Sequence, residues 1–165
     1  AMLYSQDMLD LARDFLSAMR AKGWKFTSAE SCTGGLIAGL LTEIAGSSDV
    51  VDRGFVTYSN EAKTALVNVP PDMIAAYGAV SEEVVRAMAE GALRNSLADV
   101  SVAVSGVAGP GGGTADKPVG RVHIAASSKT NRLHKRMDYG DLGRSEIRRC
   151  TVVDALALAQ ELLRE

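Results

Sequence analysis

Cysteine and histidine are scarce in this sequence of 165 residues, which contains two of each. Cys32 and Cys150 lie far apart and cannot form the disulfide framework of a small secreted domain, so we expect a protein of the reducing cytoplasm. His123 and His134 both fall inside predicted strands, and neither belongs to a motif. Their scarcity argues against a Ser-His-Asp triad, and the sequence predicts no metal site and no cofactor.

An excess of positive charge and long apolar runs are also absent. The net charge is −2 at pH 7 and the isoelectric point is about 5.7, so we expect neither nucleic acid nor a membrane as a partner. No apolar run approaches the length that spans a bilayer, and no signal peptide is recognised before Met8. We therefore expect one cytoplasmic domain over residues 3–165, with Ala1 and Met2 interpreted as a cloning remnant.

Hydrophobic periodicity predicts a chain in which helices and strands alternate. The last two strands are separated only by a short turn, which favours an antiparallel hairpin, and Pro70-Pro71 is expected to stop helical structure. These features predict an α/β fold, a three-layer α/β/α sandwich on a mixed, mostly parallel sheet. The predicted helices cover residues 5–23, 36–44, 60–66, 81–93 and 144–163, with Asn60 as the expected cap of the third. The predicted strands begin at residue 25 and cover 54–58, 100–104, 120–127 and 133–139.

The most informative segment is the strand-to-helix corner at residues 25–35, which carries a hydroxyl and a thiol at Ser31 and Cys32. Free N–H groups and the positive end of the dipole collect at a helix N-terminus, where they can hold an anion or a developing oxyanion. The corner is therefore a candidate catalytic site. An alternative is that Ser31 or Thr33 is simply the N-cap and that Gly34-Gly35 is a tight turn.

A general base is expected to be a lysine, because the histidines are not suitably placed. Lys63 lies in the first turn of a predicted helix that directly follows a strand. The dipole there disfavours the ammonium form, and partial burial has the same effect, so such a lysine can act as a base near neutral pH. Alternatively, Lys63 is one of many surface lysines, and Tyr58 is a half-buried aromatic of the sheet.

The richest glycine segment, residues 105–114, leaves the end of the apolar strand and has five glycines in eight residues. It matches neither the dinucleotide fingerprint nor a P-loop, but its backbone N–H groups can approach a ligand closely. A flexible surface loop is the alternative.

Three arginines, Arg144, Arg148 and Arg149, open the last helix, where positive charge is unfavourable. Either a bound phosphate or the acids Asp141 and Glu146 can offset them.

Four ordered motifs together resemble the CinA C-terminal domain family over essentially the whole chain. They are Ala29–Gly35, Thr57–Lys63, Ala79–Ser81, and Ser105–Gly112 with Lys117–Gly120. The characterised activity of that family is nicotinamide mononucleotide deamidation, which implies an amidase of pyridine nucleotide salvage. Longer relatives carry an additional N-terminal domain, so the chain is similar to the stand-alone form.

The resemblance also implies roles for individual residues. The family's serine nucleophile corresponds to Ser31, and its lysine and tyrosine partners correspond to Lys63 and Tyr58. Many relatives read Gly-Asp-Arg before the last helix, whereas this chain reads Gly140-Asp-Leu-Gly-Arg144, which favours Arg148 over Arg144 as the phosphate ligand. The substrate-binding residues implied are Thr33, Gly34, Gly35, Ser105, Gly106, Gly109, Gly111, Gly112 and Arg148.

The sequence thus predicts a hydrolase with a serine nucleophile and a lysine base, acting on a small nucleotide and forming a homodimer. Two alternatives stay open. One is a nucleotide-binding module without turnover, and the other is a partner domain of the same fold that lacks activity.

Overall fold

The computed structural model describes residues 2–164, in which helices and strands alternate as the periodicity predicts. The strands are β1 (Phe26–Glu30), β2 (Val51–Val56), β3 (Val100–Gly106), β4 (Arg121–Ser128) and β5 (Arg132–Asp138). The helices are α1 (Gln6–Lys22), α2 (Leu36–Thr42), α3 (Asn60–Val67), α4 (Pro71–Tyr77), α5 (Glu82–Arg94) and α6 (Arg144–Leu162), and a short 3₁₀ turn covers Ser47–Asp49.

The strands form one mixed sheet in the order β2-β1-β3-β4-β5. β1 pairs in parallel with both β2 and β3, whereas β3–β4 and β4–β5 are antiparallel. Within residues 2–164, four of the five strands therefore run in the same direction and β4 runs against them. The predicted α/β/α sandwich and its antiparallel hairpin are confirmed.

Each face of the sheet is covered by helices that bury apolar side chains against it. α1, α2 and α6 pack on the face that carries Val100, Val102 and Val104, and α3, α4 and α5 pack on the face that carries the smaller Ala29 and Ala103. α3 packs closely on α5 at Gly91, where no side chain would fit. A Cβ atom at this position of α5 would lie 1.7 Å from the carbonyl oxygen of Val67. This close packing fixes the helix that carries Lys63.

Three local predictions were wrong. Pro71 does not stop helical structure but occupies the first turn of α4, where a fixed φ and a missing N–H are tolerated. Ser59, rather than Asn60, caps α3, because its Oγ accepts the N–H of Ala62. β2 ends at Val56, before Tyr58, so Tyr58 lies in the segment between β2 and α3.

The carboxyl ends of β1 and β3 and the segment after β2 meet at one edge of the sheet, the usual place of a ligand crevice in α/β folds. Among the helices of residues 2–164, none combines the length and apolar character that crossing a bilayer needs.

Candidate active site

Ser31 directly follows the last residue of β1 and lies at the start of the corner. Its N–H donates to the carbonyl of Val104 on β3, which anchors the corner to the sheet. α2 begins only at Leu36, and its N-cap is Gly35, with φ of 106° and no side-chain cap. The alternative in which Ser31 or Thr33 caps the helix is therefore wrong.

Instead, the carboxylate of Glu30 accepts hydrogen bonds from amides in the first turn of α2. Its two oxygens accept the N–H groups of Ile37 at 2.9 Å and of Ala38 at 3.0 Å. They also accept the hydroxyls of Thr33 at 2.6 Å and of Ser28 at 3.3 Å. The start of α2 is consequently not free to hold a substrate anion.

Lys63 is almost completely buried, with 1% of its surface exposed, so its interpretation as a surface lysine is wrong. Its Nζ lies 3.2 Å from Ser31 Oγ, 3.0 Å from the carbonyl oxygen of Thr57 and 3.3 Å from that of Tyr58. Burial lowers the pKa of Lys63 below its ordinary value, whereas the nearby Cys32 sulfur acts weakly in the opposite direction. A neutral amine beside a serine hydroxyl can accept its proton.

Tyr58 contributes to this pair through its backbone rather than its ring. Its carbonyl oxygen lies 3.5 Å from Ser31 Oγ and also accepts from Lys63. Tyr58 as a whole is 61% exposed, and its phenol oxygen accepts from the Arg144 guanidinium at 3.3 Å. The phenol therefore lies on the rim of the site.

Ser31 and Lys63 open into a cavity of about 200 Å³ at the edge of the sheet. Its walls include small side chains such as Ala79, Val80 and Ala108. Ser105 Oγ fixes the segment between α4 and α5 by donating to the carbonyl of Ala79 at 2.8 Å. The lining residues are Ser31, Cys32, Tyr58, Asn60, Lys63, Ala79, Val80, Ser105, Gly106, Ala108 and Arg144.

A larger groove of about 520 Å³ lies between α3 and α4. Neither a lysine, an arginine nor a histidine is among the residues that line it, which are Asn60, Glu61, Thr64, Ala65, Pro71, Ile74 and Ala75. The smaller cavity is therefore the better candidate for catalysis.

The structure brings together some of the sequence-predicted residues but not all. Ser31, Tyr58, Lys63, Ser105 and Gly106 line the cavity. The others do not line it: Thr33, whose side chain is fully buried against Glu30, and Gly34, Gly35, Gly109, Gly111, Gly112 and Arg148.

The two arginines at the start of α6 have different environments. Arg144 lines the cavity and donates to the carbonyl of Gly109 at 2.8 Å and to the phenol of Tyr58. Arg148 lies one turn later, and its guanidinium donates to the carbonyls of Cys32 at 3.0 Å and Thr33 at 3.3 Å. Arg144 thus lines the cavity, whereas Arg148 stabilises the strand-to-helix corner by binding its backbone carbonyls.

Cys32 lies beside Ser31 but is a poor nucleophile. Burial raises the pKa of its thiol to about 12, so the reactive thiolate is rare at neutral pH. The backbone amides of Cys32 and Thr33 donate to no backbone carbonyl within residues 2–164. Of these two residues only Cys32 lines the cavity, so its N–H, which directly follows Ser31, is the nearer candidate donor for an oxyanion.

The two histidines lie outside the cavity. His123 Nδ1 and His134 Nε2 are 3.0 Å apart on β4 and β5, and neither ring lines the site. Among residues 2–164, no group of three or more His, Cys, Asp or Glu side chains is arranged to hold a metal ion.

Sequence reasoning missed Glu30, Asn60 and the inward position of Arg144. Glu30 could have been found from the sequence, because it is the one charged residue in β1, a strand of apolar and hydroxyl side chains. A carboxylate buried in such a strand needs hydrogen-bond donors close by. Arg144 and Arg148 are four residues apart on one helix face, so spacing alone did not separate them.

Known proteins match both the sequence and the structure. The sequence model of the CinA C-terminal domain matches residues 8–163. The nicotinamide-nucleotide amidohydrolase PncC of Enterobacter agglomerans is 55% identical over 124 residues, 75% of this chain and 76% of that protein. A CinA-like protein of Colwellia psychrerythraea is 56% identical over 121 residues, 73% of this chain but only 28% of that longer protein.

Solved structures agree with this match. The competence/damage inducible protein CihA from Agrobacterium tumefaciens has a TM-score of 0.96 and 51% identity, with 100% of both chains covered. A CinA superfamily protein from Klebsiella pneumoniae 700603 has a TM-score of 0.91 and 35% identity, over 96% of this chain and 99% of that one.

Proposed function

Because the chain belongs to the CinA C-terminal domain family, we propose that it hydrolyses nicotinamide mononucleotide to nicotinic acid mononucleotide and ammonia. The observation that carries this proposal is the contact of 3.2 Å between Ser31 Oγ and the buried amine of Lys63 inside the cavity. A relative that is 55% identical bears the name nicotinamide-nucleotide amidohydrolase.

In the first half of the reaction, neutral Lys63 takes the proton of Ser31, and Oγ attacks the carboxamide carbon. The amide of Cys32, a residue that lines the cavity, donates to the oxyanion that forms. The protonated Lys63 then gives its proton to the leaving nitrogen, the C–N bond breaks, and ammonia departs. This leaves an ester between Ser31 and the pyridine carbonyl.

In the second half, Lys63 takes a proton from water, and the resulting hydroxide attacks the ester carbon. Lys63 returns the proton to Ser31 Oγ as the acid is released. The carbonyl oxygens of Thr57 and Tyr58 accept from the ammonium form of Lys63, so the amine keeps one position in both protonation states. The phenol of Tyr58 as a proton donor stays a prediction.

The size of the cavity fits one ring better than a whole nucleotide. Pockets that enclose drug-sized ligands usually measure about 300–1,000 Å³, whereas this cavity measures about 200 Å³. We place the pyridine carboxamide inside it and the ribose phosphate at the rim, where Arg144, Tyr58 and the glycine loop lie. The guanidinium of Arg144 can exchange the Gly109 carbonyl for a phosphate oxygen, a stronger acceptor.

Replacing Arg144 by alanine should raise KM for nicotinamide mononucleotide about ten- to a hundredfold, because a charge-assisted contact is worth roughly 1.5–3 kcal/mol. The phosphate-free riboside should be affected far less. Steady-state kinetics on both substrates measures the difference.

Arg148→Ala is the matched control. Its guanidinium holds the Cys32 and Thr33 carbonyls, so we expect similar losses on both substrates. A loss specific to the phosphorylated substrate in Arg148→Ala, and not in Arg144→Ala, would support Arg148 as the phosphate ligand, as the sequence favours, and contradict the placement at Arg144.

The proposed function is tested by incubating the purified protein with nicotinamide mononucleotide and measuring ammonia together with the acid product by mass spectrometry. A protein that binds the nucleotide without releasing ammonia would be the non-catalytic nucleotide-binding module instead. The place of the reaction in cytoplasmic pyridine nucleotide salvage and the homodimer stay predictions.

A further inference from the structure

The carboxylate of Glu30 is the most completely satisfied buried charge near the reacting atoms. Glu30 is 1% exposed, and both its oxygens are engaged by the four donors described above. None of these donors is a cation. A buried carboxylate of this kind is stabilised by neutral donors and by the positive end of the helix dipole.

The contacts of Glu30 span the segment that carries the nucleophile. Glu30 directly precedes Ser31, and its side chain reaches forward to the amides of Ile37 and Ala38. Residues 31–36 therefore form an arch whose two ends are tied by one side chain. Thr33, inside the arch, is tied to the same carboxylate.

We infer that Glu30 is a positioning residue, which holds the arch so that Ser31 Oγ faces Lys63 and the Cys32 amide faces the oxyanion. This inference rests on the proposed function. Glu30 does not line the cavity, so its side chain would not contact a substrate bound there. It is also not among the groups that shift the pKa of Lys63.

The variant Glu30→Gln tests whether the hydrogen-bond acceptors of Glu30 matter, because glutamine fills nearly the same volume but has one acceptor oxygen fewer. A glutamine offers one acceptor oxygen and one NH₂ donor, but Ile37 and Ala38 present N–H donors to different oxygens. One backbone amide must then face an NH₂ group, and the arch must shift. A displacement of about 1 Å can cost roughly 10²-fold in rate.

We expect Glu30→Gln to lower kcat for nicotinamide mononucleotide about ten- to a hundredfold with KM within about threefold. The pH midpoint of kcat should not move, because the pKa of Lys63 is set by burial and by Cys32 rather than by Glu30. Phosphonylation of Ser31 by an alkyl fluorophosphonate, with loss of fluoride, should slow by a similar factor when followed by mass spectrometry. All rates are expressed per folded molecule, with folding checked by circular dichroism.

Ser28→Ala is the matched control, because it removes the weakest donor to the carboxylate and lies outside the arch. We expect its kcat to stay within about twofold of the wild type. If Glu30→Gln does not fold, Thr33→Val replaces it, since it removes one tie of the arch and keeps the side-chain shape. A lower kcat at similar KM is again expected.

Unchanged kcat and unchanged labelling in folded Glu30→Gln, or in Thr33→Val as its substitute, would overturn the inference while leaving the amidase intact. A shifted pH midpoint would also overturn it and indicate an electrostatic role. If the wild type released no ammonia, the proposed function would fail. The role of Glu30 would then be tested only by comparing the rates at which Ser31 is phosphonylated in the wild type and in Glu30→Gln. A wild type that is neither active nor labelled would overturn both.

Discussion

Ser31→Ala should abolish ammonia release from nicotinamide mononucleotide, with kcat lowered by roughly 10⁴-fold or more. Among residues 2–164, no other hydroxyl lies within hydrogen-bond distance of the Lys63 amine, and loss of a nucleophile leaves only binding and oxyanion stabilisation. Substrate binding should survive, because the rim and the cavity walls are unchanged. Single-turnover kinetics and isothermal titration calorimetry measure the two effects.

Cys32→Ala is the control for this experiment. The thiol adjoins Ser31 but has a pKa of about 12, so the variant should keep most of the activity. An inactive Cys32→Ala together with an active Ser31→Ala would show that the thiol is the nucleophile.

Lys63→Arg should lower kcat by about 10³-fold, within the range usual for loss of a general base. Guanidinium stays protonated at every accessible pH and cannot take the proton of Ser31. Steady-state kinetics on the purified variant, with circular dichroism to confirm folding, measures the loss. An active Lys63→Arg enzyme would contradict the proposed base.

The same assignment fixes the sign of the pH dependence. Burial lowers the pKa of Lys63, and the neutral amine is the active form, so kcat should rise with pH. The midpoint should lie below the ordinary lysine value of about 10.4. A rate that falls as pH rises through this range would indicate that the ammonium form is required.

The sequence predicted the sandwich because its apolar periodicity is strong in the long helices and in β3. It also predicted the Ser31–Lys63 pair, through motifs that resemble the family whose model matches the chain, and the two side chains lie 3.2 Å apart. Burial of Lys63 did not follow from its local sequence, since it depends on α3 packing against α5 at Gly91.

The error at Pro71 arose because this residue type permits two structures. Pro71 can end one helix or begin the next, and the outcome depended on Ile74 packing into the core. Arg144 and Arg148 share a helix face, and which one faces the cavity depends on the neighbouring Gly109 and Cys32 carbonyls. Such contacts between segments that are distant in sequence cannot be predicted from the spacing of residues along the chain.

The position of β2 at the edge of the sheet bears on how the protein loses activity. Within residues 2–164, β2 pairs with β1 alone, and the chain that follows it carries Thr57, Tyr58 and Lys63. Edge elements with few partners open more readily than a central strand such as β3. Fraying of this outer strand would displace the Thr57 and Tyr58 carbonyls that hold the Lys63 amine beside Ser31, while the central strands stay folded. Inactivation by denaturant is therefore expected to precede the cooperative unfolding of the core.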